Sequence, residues 1–104
     1  MSKAILIVES SPAEGRDAEF NEWYVTTHLP EVLAVPGFVG AWRLRRAIAD
    51  PSEHAYATMY EIDAEDPQAS LAELGRRHAT GEITLPAELQ SDRPPRTALY
   101  DMIP

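Results

Sequence analysis

The sequence contains no cysteine among its 104 residues. That absence excludes disulfides, thiolate nucleophiles and cysteine-based zinc sites together. Basic charge is scarce as well. Nine lysines and arginines face seventeen aspartates and glutamates, for a formal net charge of -8. Nucleic-acid phosphates and anionic membranes both need a basic surface, so neither is expected as a partner. The N-terminal apolar run, Ala4 to Val8, stops at Glu9. A signal peptide needs an apolar run of ~7–15 residues and a membrane span ~20. The run reads instead as a buried strand of a cytoplasmic protein. The three histidines, His28, His54 and His78, stand far apart, with no His-x-His or His-Glu-x-x-His spacing. No metal is expected. Gly37-Phe38-Val39-Gly40 is not a dinucleotide fingerprint, and there is neither a P-loop nor a nucleophile elbow. No internal repeat or low-complexity stretch is visible.

What is present fits a folded chain. Hydrophobic residues make up 44% and charged residues 25%, which is ordinary for a globular protein. The length suits one domain over residues 1–104. A chain of this size buries only roughly 60–65% of its unfolded surface, so it gains from a partner subunit.

Proline and glycine divide the sequence into segments. Lys3 to Glu9 reads as a strand apolar on both faces. Asp17 to His28 reads as a helix capped by Asp17, with an apolar stripe at Phe20, Trp23, Tyr24 and Thr27. Pro30 should interrupt it and start a short turn over Glu31 to Val35. Phe38 to Arg46 and His54 to Ile62 read as a hairpin around Asp50-Pro51-Ser52. Simple alternation puts Phe38, Trp42 and Leu44 on one face, and Val39, Ala41, Arg43 and Arg45 on the other. In the second strand Tyr56, Thr58, Tyr60 and Ile62 share a face. Asp66-Pro67 starts a second helix with Leu71, Leu74, Gly75 and His78 inward. A long proline-bearing connection over Ala79 to Pro95 leads to a last strand, Arg96 to Met102. The order β-α-β-β-α-β is the ferredoxin-like α+β arrangement, a four-stranded antiparallel sheet with helices on one face. Its other face carries apolar residues too, so two sheets are expected to pack face to face in a homodimer.

The first helix carries the most chemistry. At helical spacing Asn21, Tyr24 and His28 project close together, bordering the aromatic stripe. An amide, a phenol and an imidazole can orient a substrate oxygen and move a proton. The competing reading is structural: aromatic residues at this spacing are usually core, and a histidine at a helix end often bonds orphan carbonyls. His78 is either a packed histidine near a helix end or a second group facing the same pocket. His54 is expected at the surface. Arg43, Arg45 and Arg46 are expected on a solvated face or at an interface with acidic neighbours, with an anion clamp weakly indicated.

Phe20-Asn21-Glu22-Trp23-Tyr24, then His28-Leu29-Pro30-Glu31 and Val35-Pro36-Gly37-Phe38, resemble the signature of EthD-like proteins of the dimeric α+β barrel superfamily. Met59-Tyr60-Glu61-Ile62 is similar to that family's third strand. The resemblance covers residues 1 to 75 or so and implies two ferredoxin-like protomers pairing sheet to sheet. It further implies a small apolar ligand between sheet and helices. The superfamily includes cofactor-free monooxygenases, cyclases, lactone isomerases, haem-degrading enzymes and proteins of no known activity. The haem-degrading relatives place their Asn, Trp and His on other elements.

Two functions follow as expectations. One is an enzyme without metal or organic cofactor, a cyclase, isomerase, dehydratase or monooxygenase acting on a phenolic, polyketide-like or lactone compound. In it His28 is the acid/base, Tyr24 and Asn21 place an oxygen, and Trp23, Trp42, Tyr56, Tyr60 and His78 line the pocket. The alternative is a non-catalytic small-molecule-binding or accessory dimer. His28 discriminates between them: bonded to a backbone carbonyl and sealed off, it favours the second; pointing with Tyr24 into a cavity, it favours the first.

Overall fold

The computed structural model describes residues 2–104. Four strands form one antiparallel sheet: β1 (Ser2–Ser10), β2 (Phe38–Arg45), β3 (Tyr56–Ala64) and β4 (Arg96–Asp101). Their order across the sheet is β2-β3-β1-β4, the ferredoxin-like topology expected from the segment order. The apolar run Ile5 to Val8 occupies an inner strand, paired with β3 on one side and β4 on the other. The helices α1 (Asp17–Trp23), α2 (Leu29–Leu33) and α3 (Pro67–Ala79) cover one face. No helix among the described residues is long and apolar enough to cross a membrane.

Side-chain alternation along β1 and β3 sorts the sheet into two faces. Ala4, Leu6, Thr58, Tyr60 and Ile62 point under the helices and are almost completely buried. All but Thr58 pack with Val32, Val35, Phe38, Leu74 and Ile83 into the main core. Each buried Val, Leu, Ile or Phe side chain there contributes roughly 1.5–3 kcal/mol through removal from water. Ile5, Ile7, Ala57 and Met59 take the opposite, uncovered face by the same register.

The first helix differs from its expected course. Asp17 does not cap it. The flanking residue is Arg16, without a side-chain cap bond, and the Asp17 carboxylate instead accepts from the Tyr56 hydroxyl at 2.8 Å. Nor does Pro30 break the helix. Tyr24–His28 forms a π-helical turn in which the Leu29 N–H reaches back to the Tyr24 carbonyl, and α2 continues directly from it. A widened turn eases the clash that a proline ring makes with the preceding turn, so the helix runs on with a local change of pitch. Gly37 ends the segment at φ 97°, where a Cβ would collide with Ser70 of α3. At the second helix Asp66 caps as expected, accepting from the Gln68 N–H at 3.1 Å, with Pro67 in the first turn.

Strand β2 corrects the simple alternation. Phe38 pairs with Ile62, but Gly40 pairs with Glu61, so Val39 is an extra, bulged residue. Everything after it switches face. Phe38, Ala41, Arg43 and Arg45 lie on the helix side, while Gly40, Trp42 and Leu44 lie on the uncovered side. A bulge that opposes two residues to one shifts the side-chain phase in this way.

His54 is likewise not a surface residue; it is 3% exposed. Its Nδ1 lies 2.9 Å from the Ser11 hydroxyl and its Nε2 2.9 Å from the Pro94 carbonyl. A carbonyl only accepts, so Nε2 carries the proton and Nδ1 accepts from Ser11. Ser11 in turn accepts from the Ala55 N–H. The histidine therefore ties the connection before β4 to the start of β3. That connection contains a 3-10 turn at Ala87–Leu89 and is anchored by buried Ile83 and Leu89.

Candidate functional site

Between the inner face of the sheet, the first helix, α3 and the segment 90–95 lies a cavity of about 840 Å³. Leu6, Val8, Tyr60 and Thr97 form its floor on the sheet. Phe20, Trp23, Tyr24 and His28 form one wall, and Leu71, Leu74 and His78 the other. Gln90 to Pro95 close over it. The lining is largely apolar with a few polar groups, the usual composition of a small-molecule site.

His28 stands at the junction of the π-helical turn and α2. Its ring is stacked on Trp23 at 4.6 Å between centroids and meets the Tyr24 edge at 4.9 Å. His78 of α3 lies 5.9 Å away. His28 makes no hydrogen bond among the described residues, and its Nδ1 is buried without a partner. Because the ring lines the cavity while Nδ1 is sealed, the cavity reaches the imidazole through its other edge. Burial, then the nearby His78, then Arg43, hold its pKa down to about 4. The imidazole is therefore neutral at pH 7, in the form that accepts a proton.

Two further polar atoms at the cavity lack partners. Tyr60 Oη and Ser10 Oγ are buried and unbonded among the described residues. Burial, and then Tyr24, push the Tyr60 phenol above its ordinary pKa. Thr58 pulls the other way, while its hydroxyl accepts from Arg43 at 2.8 Å. Tyr60 thus keeps its proton, with its hydroxyl buried beneath the cavity floor.

Of the residues expected at the site, the structure brings together His28, Tyr24, Trp23, Tyr60 and His78. Three stand elsewhere. Asn21 turns toward β2, where its Oδ1 accepts from the Arg43 guanidinium at 2.7 Å. Tyr56 bonds Asp17 and lines a different surface depression near the hairpin end, beside Arg45 and Arg46. Trp42 lies on the far side of the sheet, put there by the bulge at Val39, and is 46% exposed.

The same bulge brings in a residue that sequence spacing missed. Arg43 points under the helices, with its guanidinium 3.7 Å from the centre of the Tyr24 ring and also bonded to Thr58 at 2.8 Å. Its positive charge sits behind the phenol that lines the cavity, a cation–π contact. The available signal was Gly40, since an isolated glycine within a strand pattern often marks a bulge. Neither Arg45 nor Arg46 joins this site. Arg46 instead donates to the His54 carbonyl at 3.0 Å.

No protein-family model matches the chain, and no curated protein matches it. Solved structures do. A dimeric ferredoxin-like protein of unknown function from Thermobifida fusca is similar at a TM-score of 0.62 and 15% identity, over 97% of this chain and 92% of that one. An EthD family protein from Bacillus halodurans is similar at 0.61 and 18%, over 99% and 100%. SnoaB, a cofactor-independent oxygenase from Streptomyces nogalater, is similar at 0.60 and 22%, over 96% and 92%. At these identities the likeness is one of fold, and it agrees with the α+β fold implied by the resemblance of the helix-one residues.

Proposed function

We propose that this protein is an enzyme that uses no metal or organic cofactor and acts on a small, apolar, oxygenated metabolite held between sheet and helices. The observation that carries the reading is His28, which is neutral, unbonded and edge-on to an apolar cavity beside Tyr24. A histidine kept for structure would use its ring nitrogens on neighbouring groups of the protein, as His54 does with the Ser11 hydroxyl and the Pro94 carbonyl.

In this reading His28 removes a proton from a carbon or hydroxyl of the substrate. The electron pair left behind delocalises onto a substrate oxygen as an enolate or phenolate. The Tyr24 hydroxyl, backed by Arg43, stabilises the oxygen as charge develops. An anion in the cavity also raises the proton affinity of His28, which offsets the low pKa of the empty site. Trp23, Phe20 and the Leu side chains supply apolar contact, and His78 borders the same space. Cyclisation, isomerisation, dehydration and cofactor-free oxygenation can each begin with such a step. The fold shared with a cofactor-independent oxygenase supports this class without choosing among its members. The functional molecule is taken to be a homodimer, joined through the uncovered sheet face.

The test is native mass spectrometry of the purified protein for a co-purifying apolar compound, followed by its conversion by wild type and His28→Ala. Conversion that falls about 10²–10⁴-fold in the variant, with thermal stability preserved, is the expected result. Equal turnover removes His28 from the mechanism. A compound that is bound but never converted makes the protein a binder.

A further inference from the structure

The sealed edge of His28 faces an atom that is also without a partner. Glu31, in the first turn of α2, places its Oε1 4.0 Å from His28 Nδ1. Both atoms are buried, and neither has a hydrogen-bond partner among the described residues. A buried polar atom left unpaired costs about 1–3 kcal/mol. Two such atoms, adjacent and complementary, are a pair drawn slightly open. The remainder of the Glu31 side chain is 30% exposed, so it has the rotamer freedom to close the gap.

We infer that Glu31 is the positioning residue for His28, fixing its tautomer so that Nδ1 carries the proton and Nε2 presents its lone pair to the cavity. A neutral imidazole has one donor and one acceptor nitrogen. A carboxylate oxygen beside Nδ1 repels a lone pair there and attracts N–H. The free lone pair is then forced onto the opposite edge, the one reached from the cavity. When His28 takes up a proton, the same carboxylate stabilises the imidazolium. The other titratable groups around the ring do not share this role. Tyr24 lies on its own helix, Tyr60 on β3, Arg43 on β2 and His78 on α3. None of them is a carboxyl group, and Arg43 and His78 oppose protonation. The inference rests on the proposed role of His28 as a base, but its test does not need a substrate.

Long-range proton–nitrogen correlation on ¹⁵N-labelled protein at pH 7 reads the tautomer directly. Wild type and Glu31→Gln, which keeps an acceptor, are expected to show His28 protonated at Nδ1. Glu31→Ala is expected to shift the population toward Nε2–H. Both variants lose the negative charge, so the His28 titration midpoint falls by about half a unit or more. An unchanged tautomer in Glu31→Ala together with an unchanged midpoint overturns the inference. Should Glu31→Ala not fold, the midpoint of Glu31→Gln decides, and no fall overturns it. If the tautomer responds as expected while neither His28→Ala nor Glu31→Ala alters conversion of a bound compound, the positioning stands and the catalytic reading fails.

Discussion

A histidine whose pKa is held at about 4 in the folded chain, against 6.5 when exposed, makes the stability of the fold depend on pH. The unfolded chain binds that proton as pH falls through about 6.5, and the folded chain only near 4. Stability contributed by neutral His28 is thus fully present above 6.5 and is lost on acidification across that window. At 1.36 kcal/mol per unit the loss amounts to roughly 3 kcal/mol. Urea unfolding between pH 7 and 4 should show a steeper decline for wild type than for His28→Ala; parallel declines would mean that the imidazole is not desolvated. At this scale the sequence was partly legible. His28 and Tyr24 share a helix face by spacing alone, with Trp23 on the bordering stripe, and Tyr60 follows from strand parity; the stacking of His28 on Trp23 needs the π-helical turn. Arg43 was hidden because one residue of bulge inverted its parity, and Asn21 was misplaced because Arg43 captured it. Glu31 had no signal as a partner until its atom was found unpaired.

Among the elements, the segments with strong punctuation were the readable ones. Asp66-Pro67 marked α3, and the hairpin and the closing strand fell where their turn residues put them. Pro30 was read as a break because a proline is incompatible with an ordinary helical turn; the π-helical turn at Tyr24–His28 was the solution that spacing could not anticipate. The connection before β4 was read as long and proline-bearing, with a short turn at Pro86 to Gln90 that matches the 3-10 turn at Ala87–Leu89; its residues 90–95 border the cavity. His54 is what fixes it there, by the bonds to Ser11 and Pro94. His54→Ala should leave the Pro94 carbonyl and the Ser11 hydroxyl without this partner and cost about 1–3 kcal/mol. Hydrogen exchange should reveal the damage first in residues 87–93, at the roof, with α3 still protected; uniform loss across the chain would deny the histidine a local role.

For the whole molecule, the large feature is the uncovered sheet face. A row of Trp42, Met59, Ile7 and Ala98 crosses all four strands in register, with Leu44 at 45% and Tyr100 at 58% exposure nearby. A second copy of the same sheet would cover this apolar row, which is the interface of the proposed homodimer. Met59→Arg places a charge at the middle of the row without touching the cavity. On the proposed sheet-to-sheet homodimer, light scattering should report a dimer for wild type and a monomer for the variant, and a variant that stays dimeric would move the interface elsewhere.

The extra residue at Val39 also changes how this strand should be aligned with its relatives. A gap-free alignment assigns one face to each position and carries it along the strand. Here that assignment inverts after position 39, so a relative lacking the insertion would match Trp42 in letter and Arg43 in place. Substitution profiles gathered across such a strand would average an uncovered-face column with a helix-side one and blur both. A single insertion or deletion at this point exchanges the two sets of side chains at a stroke, which no single point substitution can do.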